Sequence, residues 1–245
     1  GVVKDSYALS GNALLNHLHG ACVSKFEPSA DISAEIACLA NQLIQDGKTP
    51  YIIPTGGSDC VGALGYVNCA RELAEQAADF GLEIDALVHA TDSAGTQASL
   101  LVGLAAIQSD IHLLGIGVRA AQDQQEQLVF NLAHRTAQHL GTGVKIARKD
   151  VYVNCGYVGA GYGLPSDGMV RSIKLLAQTE GLLFDPVYSG KGLDGLITLV
   201  KQGYFAGMNN VIFLHTGGTA ALFGYPEIYD LPGYSHSKTI KNITN

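Results

Sequence analysis

Short apolar runs alternate with longer helical patterns along most of this 245-residue sequence. The runs are continuously hydrophobic, which is typical of strands buried on both faces. Repeated strand–helix units predict an α/β fold with an open, mostly parallel, twisted sheet, right-handed crossovers and helices on both faces. Strands are predicted at Thr49–Pro54, Ile84–Ala90, Ile111–Val118 and Asn210–His215, with a further short strand at Ala21–Phe26. Helices are predicted at Ser33–Asp46, Val61–Ala78, Gly95–Gln108, Asp123–Leu140, Asp167–Glu180 and Lys191–Lys201.

The N-terminal part differs from this pattern, because it offers only one short strand and two helical stretches. We interpret residues 1–50 as a remnant of a smaller domain and residues 51–245 as a large ligand-binding domain. The polar tail after Tyr225 is predicted to lie on the surface.

Composition argues against several classes of function. Fifteen basic and 22 acidic side chains leave a net charge of −7, which argues against a nucleic-acid partner. Five cysteines, an odd number without CxxC spacing, argue against a disulfide framework or a structural zinc site and favour a cytoplasmic protein. The sequence contains no apolar run of about 20 residues, so no membrane span is predicted.

The sharpest signal is VHATDSAGTQASL, Val88–Leu100, where a buried strand runs through small and hydroxyl residues into a helix. A helix N-terminus presents unpaired N–H groups and a partial positive charge. The small residues Ala94 and Gly95 allow an anion to approach the backbone, and Ser93 and Thr96 add hydroxyl donors. The segment therefore predicts a phosphate-binding turn, with an ordinary capped strand–helix turn as the alternative.

Two more strand ends carry similar turns. VIFLHTGGTAALF, Val211–Phe223, places Thr216 at the carboxyl end of a strand, where open α/β sheets bind ligands. His215 beside it is either structural or a ligand, and we favour the structural role. Residues Thr55–Ser58 form the third such turn, so the three turns are expected to converge on one crevice.

Tyr162 in GAGYGLP and Tyr188 in DPVYSGKG lie on glycine-flanked turns. A tyrosine on a tight turn can stack on a flat cofactor or exchange a proton, although packing within a loop is the commoner role.

Other functional patterns are weak or missing. His17 and His19 supply only two ligands, at a helical spacing that separates them, so a metal site is not predicted. The sequence has no GxSxG, and Gly115-Ile116-Gly117 lacks the third glycine of a dinucleotide-binding turn, which disfavours a nicotinamide enzyme.

Several segments in order resemble one family. They are IPTGGS (Ile53–Ser58), GALGYVNCA (Gly62–Ala70), SAGTQ (Ser93–Gln97), GYGLP (Gly161–Pro165), DGM (Asp167–Met169), DPVYSGKG (Asp185–Gly192) and HTGGTAALF (His215–Phe223). Together they resemble the D-cysteine desulfhydrase and 1-aminocyclopropane-1-carboxylate (ACC) deaminase family of fold type II pyridoxal-phosphate (PLP) enzymes. The similarity runs from about Tyr7 to Tyr225.

Within the family, the sequence is most similar to L-cysteate sulfo-lyase, on LLNHLHGA (Leu14–Ala21), VHATDSAGTQ (Val88–Gln97), VRAAQDQQE (Val118–Glu126) and DPVYSGKG. The resemblance implies a carbon–sulfur lyase that converts L-cysteate into sulfite, pyruvate and ammonia. D-cysteine desulfhydrase, which releases sulfide, is the alternative. Ser189 disfavours ACC deaminase, which would carry a different residue after the second tyrosine.

The resemblance also implies roles for residues of the large, PLP-binding domain. Ser93, Ala94, Gly95 and Thr96 would hold the PLP phosphate, and Thr216 would face the pyridine nitrogen. Tyr162 would lie near the ring as a catalytic residue. Tyr188 and Ser189 would bind the amino-acid substrate, with Tyr188 also catalytic. A cytoplasmic homodimer is implied.

Two features of the sequence depart from the family pattern. Asp92 stands where the family usually has glycine, and a carboxylate beside a phosphate is unfavourable unless it points away or meets a cation. The family's PLP-binding lysine segment, of GGNK type, and its QSNH-type carboxylate loop are expected before residue 1, so we expect a partial chain. Lys4, Lys174 and Lys191 lie outside the matching motif. Two other interpretations stay open: a PLP carrier or inactive homologue without the lysine, and an unrelated phosphate-binding module.

Overall fold

The computed structural model describes residues 9–27, 29–141 and 143–229. Its sheet has four strands, β1 (Ala86–Thr91), β2 (His112–Gly117), β3 (Tyr152–Asn154) and β4 (Val211–Phe213). The strands are parallel and lie in the order β3-β2-β1-β4, so the chain crosses over the sheet between neighbours. The predicted parallel sheet is confirmed.

Seven α-helices accompany these strands in the described residues. They are α1 (Gly11–Leu18), α2 (Ile32–Gln45), α3 (Cys60–Asp79), α4 (Gly95–Ala106), α5 (Gln122–Leu140), α6 (Asp167–Glu180) and α7 (Ser189–Lys201). Short 3₁₀ turns lie at Thr55–Gly57, Arg148–Asp150, Thr219–Gly224 and Pro226–Ile228.

Successive residues of β1 pack into two separate hydrophobic cores, because the side chains of a strand alternate between the two faces of the sheet. Leu87 packs with Leu100 of α4 on one face. Val88 packs with Leu199 of α7 on the other face. Both strand residues are fully buried. Helices therefore cover both faces of the sheet, as predicted.

Two predicted strands are wrong. Residues Thr49–Pro54 and Ala21–Phe26 lie within the described ranges and form no strand. They are mostly exposed and pair with no strand of the sheet, so their β-branched and aromatic residues have no neighbour to pack against. Conversely, β3 was not predicted. Three residues give too little pattern, and only its pairing with β2 reveals it.

Residues 9–54 are more exposed than the rest of the described chain. Asp31 caps α2, which begins one residue before the predicted start at Ser33, since its carboxylate accepts hydrogen bonds from the N–H groups of Ser33 and Ala34. Ser10 Oγ donates to the carbonyl of Phe223 at 3.0 Å, which ties the start of α1 to the C-terminal 3₁₀ turn. No helix among the described residues is long and apolar enough to cross a membrane.

The contact between α3 and α4 depends on a glycine. A Cβ at Gly103 would lie 2.6 Å from the Cβ of Ala70 and 2.7 Å from the carbonyl oxygen of Val67. We expect Gly103→Ala to lower the free energy of unfolding by about 1–3 kcal/mol, since the crowding outweighs the gain in helix propensity. Urea unfolding measures the effect. Gly65→Ala, in α3 with open space around it, is the control and should stabilise by about 0.5–1 kcal/mol. Equal stabilisation by both changes would contradict the close contact.

Candidate functional site

A cleft of about 440 Å³ lies where the carboxyl ends of β1 and β2 meet the turn that follows β4. This is the edge at which open α/β sheets bind ligands, and the volume is within the usual range for small molecules. The cleft brings together seven residues that the sequence singled out: Ser93, Ala94, Gly95, Thr96, Tyr162, Tyr188 and Thr216. Thr55 and Gly56 also line it, so the three predicted turns converge on one cleft, although the third follows residues 49–54, which form no strand.

The start of α4 is an uncapped helix N-terminus. In the described residues no side chain accepts a hydrogen bond from its first turn, as is also the case for the N-caps of α1 and α5, whereas Asp31, Asp59 and Ser166 cap α2, α3 and α6. Its N-cap, Ala94, has φ 72°, a left-handed conformation that costs an alanine about 1–2 kcal/mol. Unpaired first-turn N–H groups behind a strained backbone indicate a built anion site.

Small residues keep the approach to this helix start open. A Cβ at Gly95 would lie 2.8 Å from Ser58 Oγ, and one at Gly56 would lie 2.5 Å from Ser93 Oγ. Ser58 Oγ donates to Ser93 Oγ at 2.9 Å. Two hydroxyls and a bare helix end thus share one small space. Such a cradle suits a phosphate group, which offers several acceptor oxygens.

Tyr162 and Tyr188 are in contact with each other in the cleft lining. Their hydroxyl groups are hydrogen-bonded, and their ring centroids are 5.8 Å apart in an edge-on arrangement. Burial raises the pKa of both phenols. The shared hydrogen bond raises the pKa of Tyr162 further and counteracts the increase in the pKa of Tyr188. Both phenols therefore stay protonated at neutral pH.

A buried carboxylate shapes the turn that carries Tyr188. Asp185 is fully buried, and its oxygens accept hydrogen bonds from the N–H groups of Val187, Tyr188 and Ser189 at 2.7–2.8 Å. Ser189 Oγ also donates to Asp185, at 2.5 Å. These bonds satisfy the start of α7 and fix the backbone of Tyr188. Ser189 therefore lies buried against Asp185 and not in the cleft lining, and its role in substrate binding stays a prediction.

A buried ammonium group shapes the turn that carries Tyr162. Lys191 is fully buried, and its Nζ donates to the carbonyl oxygens of Val158 at 2.6 Å and Gly161 at 2.8 Å. Burial lowers the pKa of this lysine. Its ammonium group is hydrogen-bonded to the loop backbone, and the residue does not line the cleft. Lys191 therefore positions the loop, as does Asp185 for the other tyrosine.

Asp92, the unexpected carboxylate, meets a cation. Arg119 Nε lies 2.7 Å from Asp92 Oδ1, too poorly aligned for a hydrogen bond, so the contact is an ion pair. Burial raises the pKa of Asp92, and the charge of Arg119 counteracts this effect. The guanidinium carbon of Arg119 also lies 5.6 Å from the centroid of the Tyr162 ring. The pair neutralises the carboxylate beside the helix start.

Several residues that the sequence analysis weighed and set aside lie elsewhere. His215 is exposed and stacks on Phe184, with ring centroids 4.3 Å apart, which supports a structural role. His17 lies in the last turn of α1, and the described residues contain no group of three or more potential metal ligands. Lys4 lies outside the described residues, and Lys174 does not line the cleft.

The sequence analysis missed two cleft residues, Arg119 and Tyr66. Arg119 follows the end of β2 by two residues, so the rule that ligands bind at strand ends could have found it. Tyr66 lies within α3, and only the packing of α3 against α4 brings it to the cleft.

The crowding at Gly95 provides a test of the anion site. Gly95→Ala should weaken binding of PLP about tenfold, because the added methyl group displaces Ser58 or the helix start. Absorbance titration with PLP measures the affinity, and thermal unfolding shows whether the fold is intact. Adding Ser58→Ala should restore affinity to that of Ser58→Ala alone. Unchanged affinity in Gly95→Ala would mean that the phosphate binds elsewhere.

Replacing Lys191 tests the anchoring of the tyrosine loop. Lys191→Met leaves two backbone carbonyls without donors, so we expect the free energy of unfolding to fall by about 1–3 kcal/mol. Amide hydrogen exchange should accelerate in residues 157–163. Lys201→Met, an exposed change at the other end of α7, should alter stability by less than about 0.5 kcal/mol. Unchanged exchange in the loop would contradict the anchoring role.

Comparison with known proteins finds D-cysteine desulfhydrases that are similar in sequence to this chain. D-cysteine desulfhydrase of Salmonella paratyphi C (strain RKS4594) is 37% identical over 225 residues, which cover 92% of this chain and 67% of that protein. D-cysteine desulfhydrase of Yersinia pestis (strain Pestoides F) is 38% identical with the same coverage. The chain thus spans about two thirds of the length of these relatives.

Solved structures agree on the fold. A crystal structure of an ACC deaminase homologue superposes with a TM-score of 0.79 at 32% identity, covering 89% of this chain and 65% of that one. O-ureido-L-serine synthase, at 15% identity and a TM-score of 0.57, shares the fold. The family model described as pyridoxal-phosphate dependent enzyme matches residues 2–217. This chain belongs to the pyridoxal-phosphate dependent enzyme family, with the fold type II architecture.

Proposed function

We propose that this chain forms the cofactor-binding part of a PLP-dependent lyase that eliminates the sulfur substituent of a cysteine-type amino acid. With D-cysteine and water, the products are pyruvate, ammonia and hydrogen sulfide. The observation that carries the proposal is the uncapped start of α4, which opens into the same cleft as the tyrosine pair. Similarity to two D-cysteine desulfhydrases supports this choice of substrate.

The cradle at α4 fits the phosphate of PLP. The first-turn N–H groups and the hydroxyls of Ser93 and Thr96 would bind its oxygens, and Ser58 would hold Ser93 in place. Thr216 would present a hydroxyl to the pyridine nitrogen, which holds a proton there less firmly than a carboxylate does. Bound PLP supplies the electron sink for breaking bonds at the substrate Cα.

The tyrosine pair suits proton transfer to the departing group. Burial keeps both phenols protonated at neutral pH, so each can act as an acid. Tyr188 would donate its proton to the sulfur as the carbon–sulfur bond breaks. Its hydrogen bond with Tyr162 then stabilises the phenolate that forms.

L-cysteate is the second candidate substrate, with sulfite in place of sulfide as the product. One observation favours it, namely that the cleft contains a cationic side chain, Arg119, which a neutral thiol does not require. The resemblance of DPVYSGKG and VHATDSAGTQ to L-cysteate sulfo-lyase points the same way. Cleavage of ACC is disfavoured by Ser189 after the second tyrosine.

Assays on the protein made from its complete reading frame, loaded with PLP, test the proposal. We expect D-cysteine or L-cysteate to give pyruvate in equal amount to the sulfide or sulfite released. Tyr188→Phe should lower kcat by about a hundredfold or more, because the acid is lost. Tyr51→Phe, an exposed residue outside the cleft, should leave kcat unchanged.

Two results separate the alternatives. Formation of a 2-oxo acid from neither sulfur substrate, or from ACC alone, would refute the carbon–sulfur lyase. Reversible PLP binding that borohydride does not convert into a covalent adduct would identify a carrier without its lysine.

A further inference from the structure

Arg119 is held on two sides at the edge of the cleft. The ion pair with Asp92, at 2.7 Å, restrains its Nε, and the Tyr162 ring lies 5.6 Å from its guanidinium carbon. Asp92 follows β1 and Arg119 follows β2, so two neighbouring parallel strands fix their separation. A flexible side chain restrained in this way has lost much of its rotamer freedom before any ligand arrives.

The part of the guanidinium away from Asp92 has unused hydrogen-bonding capacity. Arginine carries five N–H donors in a planar fork, and the nitrogen of Arg119 that lies 2.7 Å from Asp92 is Nε. Among the described residues, no protein acceptor bonds to its two Nη groups. The side chain is half-exposed, so these groups can be reached from the cleft.

The charges that line the cleft make Arg119 distinctive. Of the described residues in the lining, Arg119 is the single cation and Asp92 the single anion. Apart from the helix start, which suits the cofactor phosphate, Arg119 is the only charged group in the described part of the lining that attracts an anion. Paired oxygens of a sulfonate match the arginine fork, whereas a cysteine thiol is neutral below about pH 8 and accepts hydrogen bonds weakly.

We propose that Arg119 is a specificity-determining residue, whose Nη groups bind a sulfonate carried on the β-carbon of the amino-acid substrate. The inference rests on the proposed lyase function of this cleft and names the substrate class that the cleft prefers. Asp92 acts as the positioning residue for Arg119, which explains a carboxylate beside a phosphate site. The ion pair leaves the fork facing the substrate.

A binding experiment tests this role without turnover. Two ligands without an amine, 3-sulfopropanoate and its neutral sulfone counterpart 3-(methylsulfonyl)propanoate, are titrated calorimetrically into the PLP-loaded protein from the complete reading frame. We expect the sulfonate to bind about tenfold more tightly. Arg119→Gln should remove this preference, and Arg119→Lys should retain part of it. Arg71→Gln, which breaks exposed contacts with Glu75 and Asn68 outside the cleft lining, should leave it unchanged.

Equal binding of the two ligands by the unmodified protein would overturn the proposal. So would an Arg119→Gln protein that binds PLP more weakly yet keeps the sulfonate preference, since Arg119 would then serve the cofactor phosphate. Turnover separates this failure from failure of the lyase function. If D-cysteine and L-cysteate are both cleaved and Arg119→Gln slows them equally, the lyase stands and the specificity role falls. If neither is cleaved, the lyase function itself fails.

Discussion

The bare N-terminus of α4 is the constraint on which the rest of the cleft depends. A helix start without a cap leaves backbone N–H groups that need an acceptor, and the left-handed Ala94 adds a conformational cost. Packing holds this arrangement in place. The Ala94 side chain is buried in a core formed mainly by α4 and α5, and β1 leads directly into the turn. The fold therefore holds open a helix end whose N–H groups can bind an anion.

Two buried charges play equivalent parts on the opposite side of the cleft. Asp185 accepts hydrogen bonds from the N–H groups of the turn that carries Tyr188. Lys191 donates hydrogen bonds to the carbonyl groups of the loop that carries Tyr162. Both charged residues lie near the start of α7, so the start of one helix fixes the positions of both tyrosines. The Gly218 backbone also approaches Asp185 closely, since a Cβ there would lie 2.9 Å from its Oδ2. The turn that contains Thr216 is thereby joined to the same support.

Much of the fold was accessible from patterns in the sequence. Helix α6 has the predicted bounds, and β1 and β2 lie within two residues of theirs, because long amphipathic or continuously apolar stretches carry strong periodicity. Residues 49–54 have the composition of a strand but no partner, and strand formation requires one. The three residues of β3 carry no such pattern and become a strand through pairing with β2.

The sequence by itself determined the parallel sheet, the turn at Ser93–Thr96 that we predict to bind phosphate, and the two candidate tyrosines, because each of these is identified by residues that are neighbours in the sequence. Only the tertiary structure decided that Ser189 is buried against Asp185, that Lys191 holds a loop and that Arg119 pairs with Asp92. These contacts join segments whose separation in space depends on strand order and helix packing. Charge pairing, unlike hydrophobic periodicity, leaves no repeat in the sequence from which its partner can be identified.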